Sequence, residues 1–350
     1  MDTKLGYIKN LNKDKKYIVE ASDVIKNGGI VAFPTETVYG LGANALNIDA
    51  VKKIFKAKGR PQDNPLIVHI SSKEVLDEIT LEVPRIANII MDRFWPGPLT
   101  MIFKKKDIIP NETSAGLNTI GIRMPSDEVA LNLIKEAGVP IAAPSANISG
   151  RPSPTDMETC ILDLNGRVDY ILGSDSSEVG VESTILDITC NPPCILRPGG
   201  ITLEMLKEID DKIYIDKSLL DKNDKNLKPK APGMKYKHYA PKAKVRLVEG
   251  SIEKTVEKIN EMMHNYIDDG LKVGIMVTDE TLSNYKDGVI ISLGSRNNLS
   301  TIAKKLFSTL REFDNNNVDV IISESFEDTG LGLAIMNRLR KACGFDIIKV

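Results

Sequence analysis

Between Tyr17 and Asn27 the apolar residues fall at Ile18, Ala21 and Ile25, the spacing that lines one face of a helix, and Gly28-Gly29 follows as a left-handed stop. The period then changes. Gly29-Ile-Val-Ala-Phe33 is a short β-rich run closed by Pro34, and similar runs at Leu66–Ile70, Leu99–Phe103, Thr119–Arg123 and Ser183–Ile188 predict strands. Among them, Ala50–Ala57, Pro84–Phe94 and Asp127–Ala137 carry apolar residues three and four apart, with Ser126 placed as N-cap of the last. The first 210 residues therefore predict one α/β domain built on a mixed sheet. Further along, Val245–Val248, Lys272–Val277, Gly288–Ser292 and Val318–Ile322 read as strands, alternating with helical stretches at Ile252–Ile267, Leu299–Phe313 and Leu333–Ala342. Such alternation predicts a small parallel sheet covered by helices on both faces.

The two patterned regions are separated by a segment with neither period. From Lys225 to Lys244 there are seven lysines, three prolines and no acid, which marks a linker. At roughly 150 residues per domain, the length of 350 residues suits two domains. The expected division is a domain over 12–210, a linker rich in lysine and aromatics over 211–243, and a smaller domain over 244–350. Overall charge is balanced, 46 Lys+Arg against 48 Asp+Glu, which argues against a surface that is one polyanion-binding field. The longest apolar runs, Ile30–Phe33 and Leu333–Met336, fall far short of the ~20 residues needed to cross a bilayer. The N-terminus lacks the apolar core of a signal peptide, so a cytoplasmic location is expected and the four cysteines need not pair. Cys190 and Cys194 flank Pro192-Pro193, but no further thiolate or imidazole lies near them, so they read as a prolyl turn with two small hydrophobes, and no metal is assigned. The three histidines, His69, His238 and His264, are too scattered for a histidine metal site.

The chemistry gathers at strand ends of the first domain. Pro34-Thr-Glu-Thr-Val-Tyr-Gly-Leu-Gly42 follows the first strand directly, and Lys58-Gly-Arg60-Pro61 leads through Asn64-Pro65 into the strand ending at His69. Arg123 closes another strand; Pro144-Ser-Ala-Asn147, Ser149-Gly-Arg-Pro-Ser153, Glu182-Ser183-Thr184 and Arg197-Pro-Gly-Gly200 come after it. Taken singly, each is a turn with solvated polar groups; together they place hydroxyl, amide and guanidinium groups where α/β folds hold ligands. No Walker A loop and no complete G-x-G-x-x-G occurs, so any nucleotide must be bound by another construction.

In order, Pro34–Gly42, Lys58–Pro61, Asn64–His69, Trp95–Thr100, Arg123–Pro125, Pro144–Asn147, Ser183–Ile185 and Arg197–Gly199 resemble the motifs of the YrdC-domain family. Beyond residue 210, Pro-Gly-Met-Lys-Tyr-Lys-His-Tyr-Ala-Pro241 and Gly330–Arg340 resemble the long form of threonylcarbamoyl-AMP synthases, which adds a C-terminal domain. The resemblance implies a YrdC-like twisted mixed sheet with helices plus a smaller Rossmann-like parallel α/β domain. It implies synthesis of L-threonylcarbamoyl-AMP from L-threonine, bicarbonate or CO2, and ATP, with release of pyrophosphate, as a step in threonylcarbamoyladenosine modification of tRNA. Mg2+ would accompany ATP, and the downstream tRNA threonylcarbamoyl-transfer machinery would be the partner, with no membrane and no stable nucleic-acid complex required.

By the same resemblance, Thr35, His69, Arg123, Ala143 and Ser183 surround threonine, while Arg60, Asn64, Thr119, Ser145, Ser153, Arg197 and Tyr236 contact ATP or the adenylate. Lys58, Arg60, Ser145 and Asn147 form the catalytic polar cluster. The reaction needs carboxylate recognition, positive charge around the triphosphate and exclusion of water more than a strong base, and Arg123 with Lys58, Arg60 and Arg197 meets those needs. Glu36 and Glu182 fit a structural hydrogen-bonding role as well as they fit a metal. The lysine-aromatic linker suggests a lid in which Tyr236, His238 and Tyr239 cover the nucleotide. Two other classes remain open on the sequence alone: an RNA-binding module without chemistry, and a carbamoyl-phosphate transferase, whose hydrogenase-maturation relatives carry zinc-type cysteine pairs missing here.

Overall fold

The computed structural model describes residues 2–216, 219 and 239–350. The chain divides into two units, Met1–Ser149 with Ser153–Lys235, and Gly150–Pro152 with Tyr236–Val350. The first unit holds eleven strands: β1 (Lys4–Tyr7), β2 (Val31–Phe33), β3 (Gly40–Asn44), β4 (Ile67–His69), β5 (Leu99–Lys104), β6 (Thr119–Arg123), β7 (Ile141–Ala143), β8 (Tyr170–Gly173), β9 (Thr184–Asp187), β10 (Cys194–Arg197) and β11 (Tyr214–Ile215). They form one mixed sheet in the order β1-β8-β2-β3-β7-β4-β6-β5-β9-β10-β11.

Helices Ile48–Lys58 and Arg85–Phe94 bury Val51, Ile54, Phe55, Ile90 and Met91 against Val68, Met101 and Ile122 on one face of the sheet. Helices Lys15–Lys26 and Glu128–Ala137 bury Ile18, Ile25, Leu133 and Ile134 against Val31, Phe33 and Ile141. Because strand side chains alternate, the residues between the first set in β4, β5 and β6, namely Ile67, His69, Thr100, Ile102, Thr119, Gly121 and Arg123, face the opposite way. That face carries the site.

Several expectations shift. The sheet reaches beyond 12–210 at both ends, since β1 pairs with β8 and β11 with β10, so the segment assigned to the linker from residue 211 begins inside the sheet. The helix starting at Glu128 is capped by Asp127, which accepts from the Ala130 amide at 2.8 Å, in place of Ser126. β3 begins inside the Pro34–Gly42 motif, where Gly40 and Gly42 weaken a strand pattern. A Cβ at either glycine would press on the Phe33 ring, at 3.1 and 2.7 Å, so the glycines let β2 and β3 pair beneath that ring.

The second unit is a sheet of β12 (Lys244–Glu249), β13 (Val273–Val277), β14 (Val289–Ser292), β15 (Val320–Glu324) and β16 (Ile347–Lys349), all parallel, in the order β14-β13-β15-β12-β16. Helices Ile252–Asp268, Leu299–Asn315 and Gly330–Ala342 lie between successive strands, as crossovers between parallel strands require. Gly330-Leu-Gly332 opens the last of them.

Candidate active site

Strand register assembles the site. His69 in β4 lies opposite Arg123 in β6, Arg123 opposite Thr100 in β5, Thr100 opposite Ile185 in β9, and Ile185 opposite Arg197 in β10. These residues form one row across five neighbouring strands, with side chains on one face. Ala143 in β7, opposite Ile67, extends the same face, and Thr119 lies on it four residues along β6 from Arg123, about 13 Å at ~3.3 Å per residue.

At one end of the row, Arg123 is buried and meets the loop between β2 and β3. Its Nη2 pairs with Glu36 at 2.7 Å and its Nη1 donates to the Thr37 hydroxyl at 2.9 Å. The Thr37 and Thr35 hydroxyls are 2.9 Å apart, and Thr35 donates to the Val38 carbonyl at 2.6 Å. Because the single Thr35 hydroxyl proton goes to that carbonyl, Thr37 is the donor between the two hydroxyls and the polarity runs from Arg123 through Thr37 to Thr35. The Thr35 carbonyl is fixed by Ser177 at 2.8 Å. Burial would raise the Glu36 carboxyl, but the Arg123 charge and hydrogen bond outweigh it and hold Glu36 below its usual range. His69 is pushed down to about 3 by burial and by Arg123, so it is neutral at physiological pH. Its Nδ1 lies 3.2 Å from the Ile67 carbonyl and its ring meets Phe33 edge-on. Arg123 Nε has no acceptor among the described residues.

Toward the other end, Ser183 is the hub. Its hydroxyl is 2.8 Å from that of Thr100, and Arg197 donates to it from Nη2 at 3.1 Å and to its carbonyl from Nε at 3.0 Å. Next to it, Glu182 accepts from the Ser153 hydroxyl at 2.6 Å. Arg197 and Ser183, expected on different substrates, are thus bonded to each other, and the two expected subsites adjoin here. Gly199 permits this approach, since a Cβ there would lie 2.4 Å from the Thr184 amide nitrogen.

Lys58 ends a helix and is almost wholly buried, with Nζ donating to the carbonyls of Ser145 (2.5 Å) and Asn147. The lysine therefore holds the Pro144–Asn147 turn, inside which the Ser145 hydroxyl donates to Asn147 Oδ1 at 2.5 Å. Arg60 reaches the carbonyls of Asn64 and Pro65 at 3.5 Å. Asn64 is buried, yet neither end of its amide has a hydrogen-bond partner among the described residues. A buried amide unmet at both ends is costly, and its usual explanation is a ligand or water.

Thr37 and Thr100, both inside motifs of the sequence, take roles that spacing alone does not assign: Thr37 accepts from Arg123, and Thr100 meets Ser183. Glu36 and Glu182 emerge as hydrogen-bonding and ion-pairing partners. Tyr236 and His238 lie outside the described residues. Tyr239 does not fit the expected cover for a nucleotide: its ring is buried in the second unit, stacked on Phe307 at 5.1 Å between centroids.

A mixed sheet with a buried row of guanidinium, hydroxyl and imidazole groups on one face, together with a parallel α/β unit, defines a two-unit enzyme of the YrdC type. Residues 23–199 match the family model Sua5_yciO_yrdC, described as "Telomere recombination", and residues 201–344 match Sua5_C, described as "Threonylcarbamoyl-AMP synthase, C-terminal domain". The chain is similar to threonylcarbamoyl-AMP synthases of Bacillus subtilis, at 49% identity over 97% of this chain and 96% of that one, and of Pyrococcus abyssi, at 48% over 94% and 95%. The fold is similar to the crystal structure of P. abyssi Sua5 complexed with L-threonine, with a TM-score of 0.93, 45% identity and full coverage of both chains. The chain belongs to the threonylcarbamoyl-AMP synthase family.

Proposed function

We propose that the chain makes L-threonylcarbamoyl-AMP from L-threonine, bicarbonate or CO2, and ATP, for threonylcarbamoyladenosine formation in tRNA. The observation that carries this reading is the row from His69 through Arg123 and Thr100 to Ser183 and Arg197. It offers a carboxylate-binding guanidinium with an unmet Nε at one end and a second guanidinium at the other. The 45%-identical P. abyssi structure, which contains L-threonine, supports the same reading.

In the reaction, the neutral amine of threonine attacks CO2 and loses a proton, giving a carbamate. A carbamate oxygen then attacks the α-phosphorus of ATP, forming the mixed anhydride as pyrophosphate leaves. Arg123 orients the threonine carboxylate while Glu36 and Thr37 fix its plane. Thr35 and Ser183 provide polar contacts, and neutral His69, with Ala143, walls the pocket without adding charge next to the amine. Arg197, Arg60, Thr119, Ser153 and the Ser145–Asn147 turn held by Lys58 face the nucleotide, and the unmet amide of Asn64 suits a polar group of ATP. Mg2+ would accompany ATP and offset charge on its phosphates, with few protein groups needed to hold it. Glu36 and Glu182 fit this poorly as ligands, because they are engaged by Arg123 and Ser153.

The product is handed to a separate threonylcarbamoyl-transfer machinery, in the cytoplasm. Among the described residues no helix is long and apolar enough to cross a membrane. The test follows pyrophosphate with L-threonine, bicarbonate, Mg2+ and ATP present. Release that stops when threonine or bicarbonate is omitted supports the proposal; release independent of threonine, or none alongside salt-sensitive RNA binding, overturns it.

A further inference from the structure

The hairpin joining β9 to β10 contains a feature that the reaction does not use. Asp187, the last residue of β9, lies directly opposite Cys194, the first of β10, so their side chains share a face. The turn between them brings Cys190 back over the pair. The Sγ atoms of Cys190 and Cys194 are 3.6 Å apart, and one ligand atom from each of Asp187, Cys190 and Cys194 lies within 4.8 Å of the others. No other such group of three His, Cys, Asp or Glu occurs among the described residues.

The spacing is informative. Two thiolates on a tetrahedral ion at about 2.3 Å stand about 3.8 Å apart, close to what is seen here without any rearrangement. The carboxylate is already oriented: Asp187 Oδ1 accepts from the Thr189 amide at 2.9 Å and from the Thr189 hydroxyl at 2.6 Å, the outer-shell bonding that fixes a metal-binding carboxylate. Asp187 and Cys194 are buried while Cys190 is partly exposed, which leaves one side open for entry and for a water ligand. A search for thiolate and imidazole spacing alone overlooks this set, because the third ligand is a carboxylate brought in by strand pairing.

We propose that Asp187, Cys190 and Cys194 bind one thiophilic divalent cation of the zinc class, with water completing a tetrahedron. Binding releases the two thiol protons to solvent and forms two metal–sulfur bonds and one metal–carboxylate bond in place of waters of the aqueous ion, one of which stays as the fourth ligand. The ion ties the two ends of a hairpin whose strands lead to Ser183 and Arg197, so it acts as a structural clamp on that part of the site.

The experiment uses the full chain, untagged and reduced, titrated with Cd2+ or Zn2+ alone and weighed by native mass spectrometry. One ion per chain is expected, with a cadmium–thiolate absorption band. The ion should be lost in the Cys190→Ser/Cys194→Ser double variant, bound at least tenfold more weakly in Asp187→Asn, and retained in Cys160→Ser and Cys343→Ser. Should the double variant not fold, alkylation of the unmodified chain decides: bound Zn2+ should shield Cys190 and Cys194 together. No stoichiometric ion, an ion kept by the folded double variant, equal alkylation with and without Zn2+, or a Cys190–Cys194 disulfide in protein prepared without air would each overturn the proposal.

Discussion

Arg123 and Glu36 are almost fully buried and face each other at 2.7 Å. Replacing Arg123 with Met leaves the Glu36 carboxylate in the interior without its counter-charge, a change that costs about 3–5 kcal/mol when a buried pair is broken from one side. Glu36→Gln keeps the shape and removes the charge, and leaves the guanidinium to its bond with Thr37. Replacing both, as Glu36→Gln with Arg123→Met, removes the uncompensated charge, so the double variant should be more stable than the sum of the single losses by at least about 2 kcal/mol. The readout is built in, since Trp95 is the single tryptophan, lies buried in the first unit and donates from Nε1 to the Leu99 carbonyl at 2.7 Å. Its emission during urea unfolding follows the first unit without mixing in the second. Arg123 holds the Glu36 carboxyl below the ordinary glutamate range, so the pair contributes fully above that range and its contribution fades as pH falls through the lower folded-state value. Glu36→Gln should flatten that acid limb. Single-variant losses that add within about 0.5 kcal/mol, or an unchanged acid limb, would refute the reasoning.

Other residues give separate tests. His69 resists protonation down to about 3, so the unfolded chain takes up a proton first and stability should fall as pH drops from 6.5 toward 3; urea midpoints of His69→Gln should be flatter across that range. Lys58→Met leaves the Ser145 and Asn147 carbonyls without this donor, at about 1–3 kcal/mol for each one left unpaired, and kcat/KM for ATP should fall at least tenfold while Trp95 still reports a folded first unit. Gly199→Ala forces a Cβ against the Thr184 nitrogen and the Glu182 carbonyl, at 2.4 and 2.6 Å, and should lower both urea midpoint and activity; a fully active variant would show that this approach is not needed.

The elements visible in the sequence are those decided locally. β6 runs over Thr119–Arg123 as its β-branched pattern predicts, and the helix ending at Lys26 stops before Gly28, at φ +74°, where a left-handed residue is required. β3 escapes notice because its glycines answer to Phe33, a residue on another strand, and β11 because two residues carry no period. The same boundary applies to the site. Ordered motifs indicate which residues gather, but pairing is set by strand order. That Lys58 binds carbonyls 87 and 89 residues away follows only once β7 lies between β3 and β4, and that Arg197 grips Ser183 only once β9 lies between β5 and β10. Charge alone points Lys58 at the triphosphate; its burial and its bonds to the Ser145 and Asn147 carbonyls tie it to the turn.

If threonine acquires a carbon from bicarbonate before it is joined to AMP, 13C-bicarbonate carries its label into the product. With L-threonine, Mg2+ and ATP, a product containing threonine, one labelled carbon and AMP should appear in mass spectra, one mass unit heavier than with unlabelled bicarbonate, together with equimolar pyrophosphate. Threonyl-AMP without the label, or pyrophosphate release with no threonine-containing adenylate, would contradict the account.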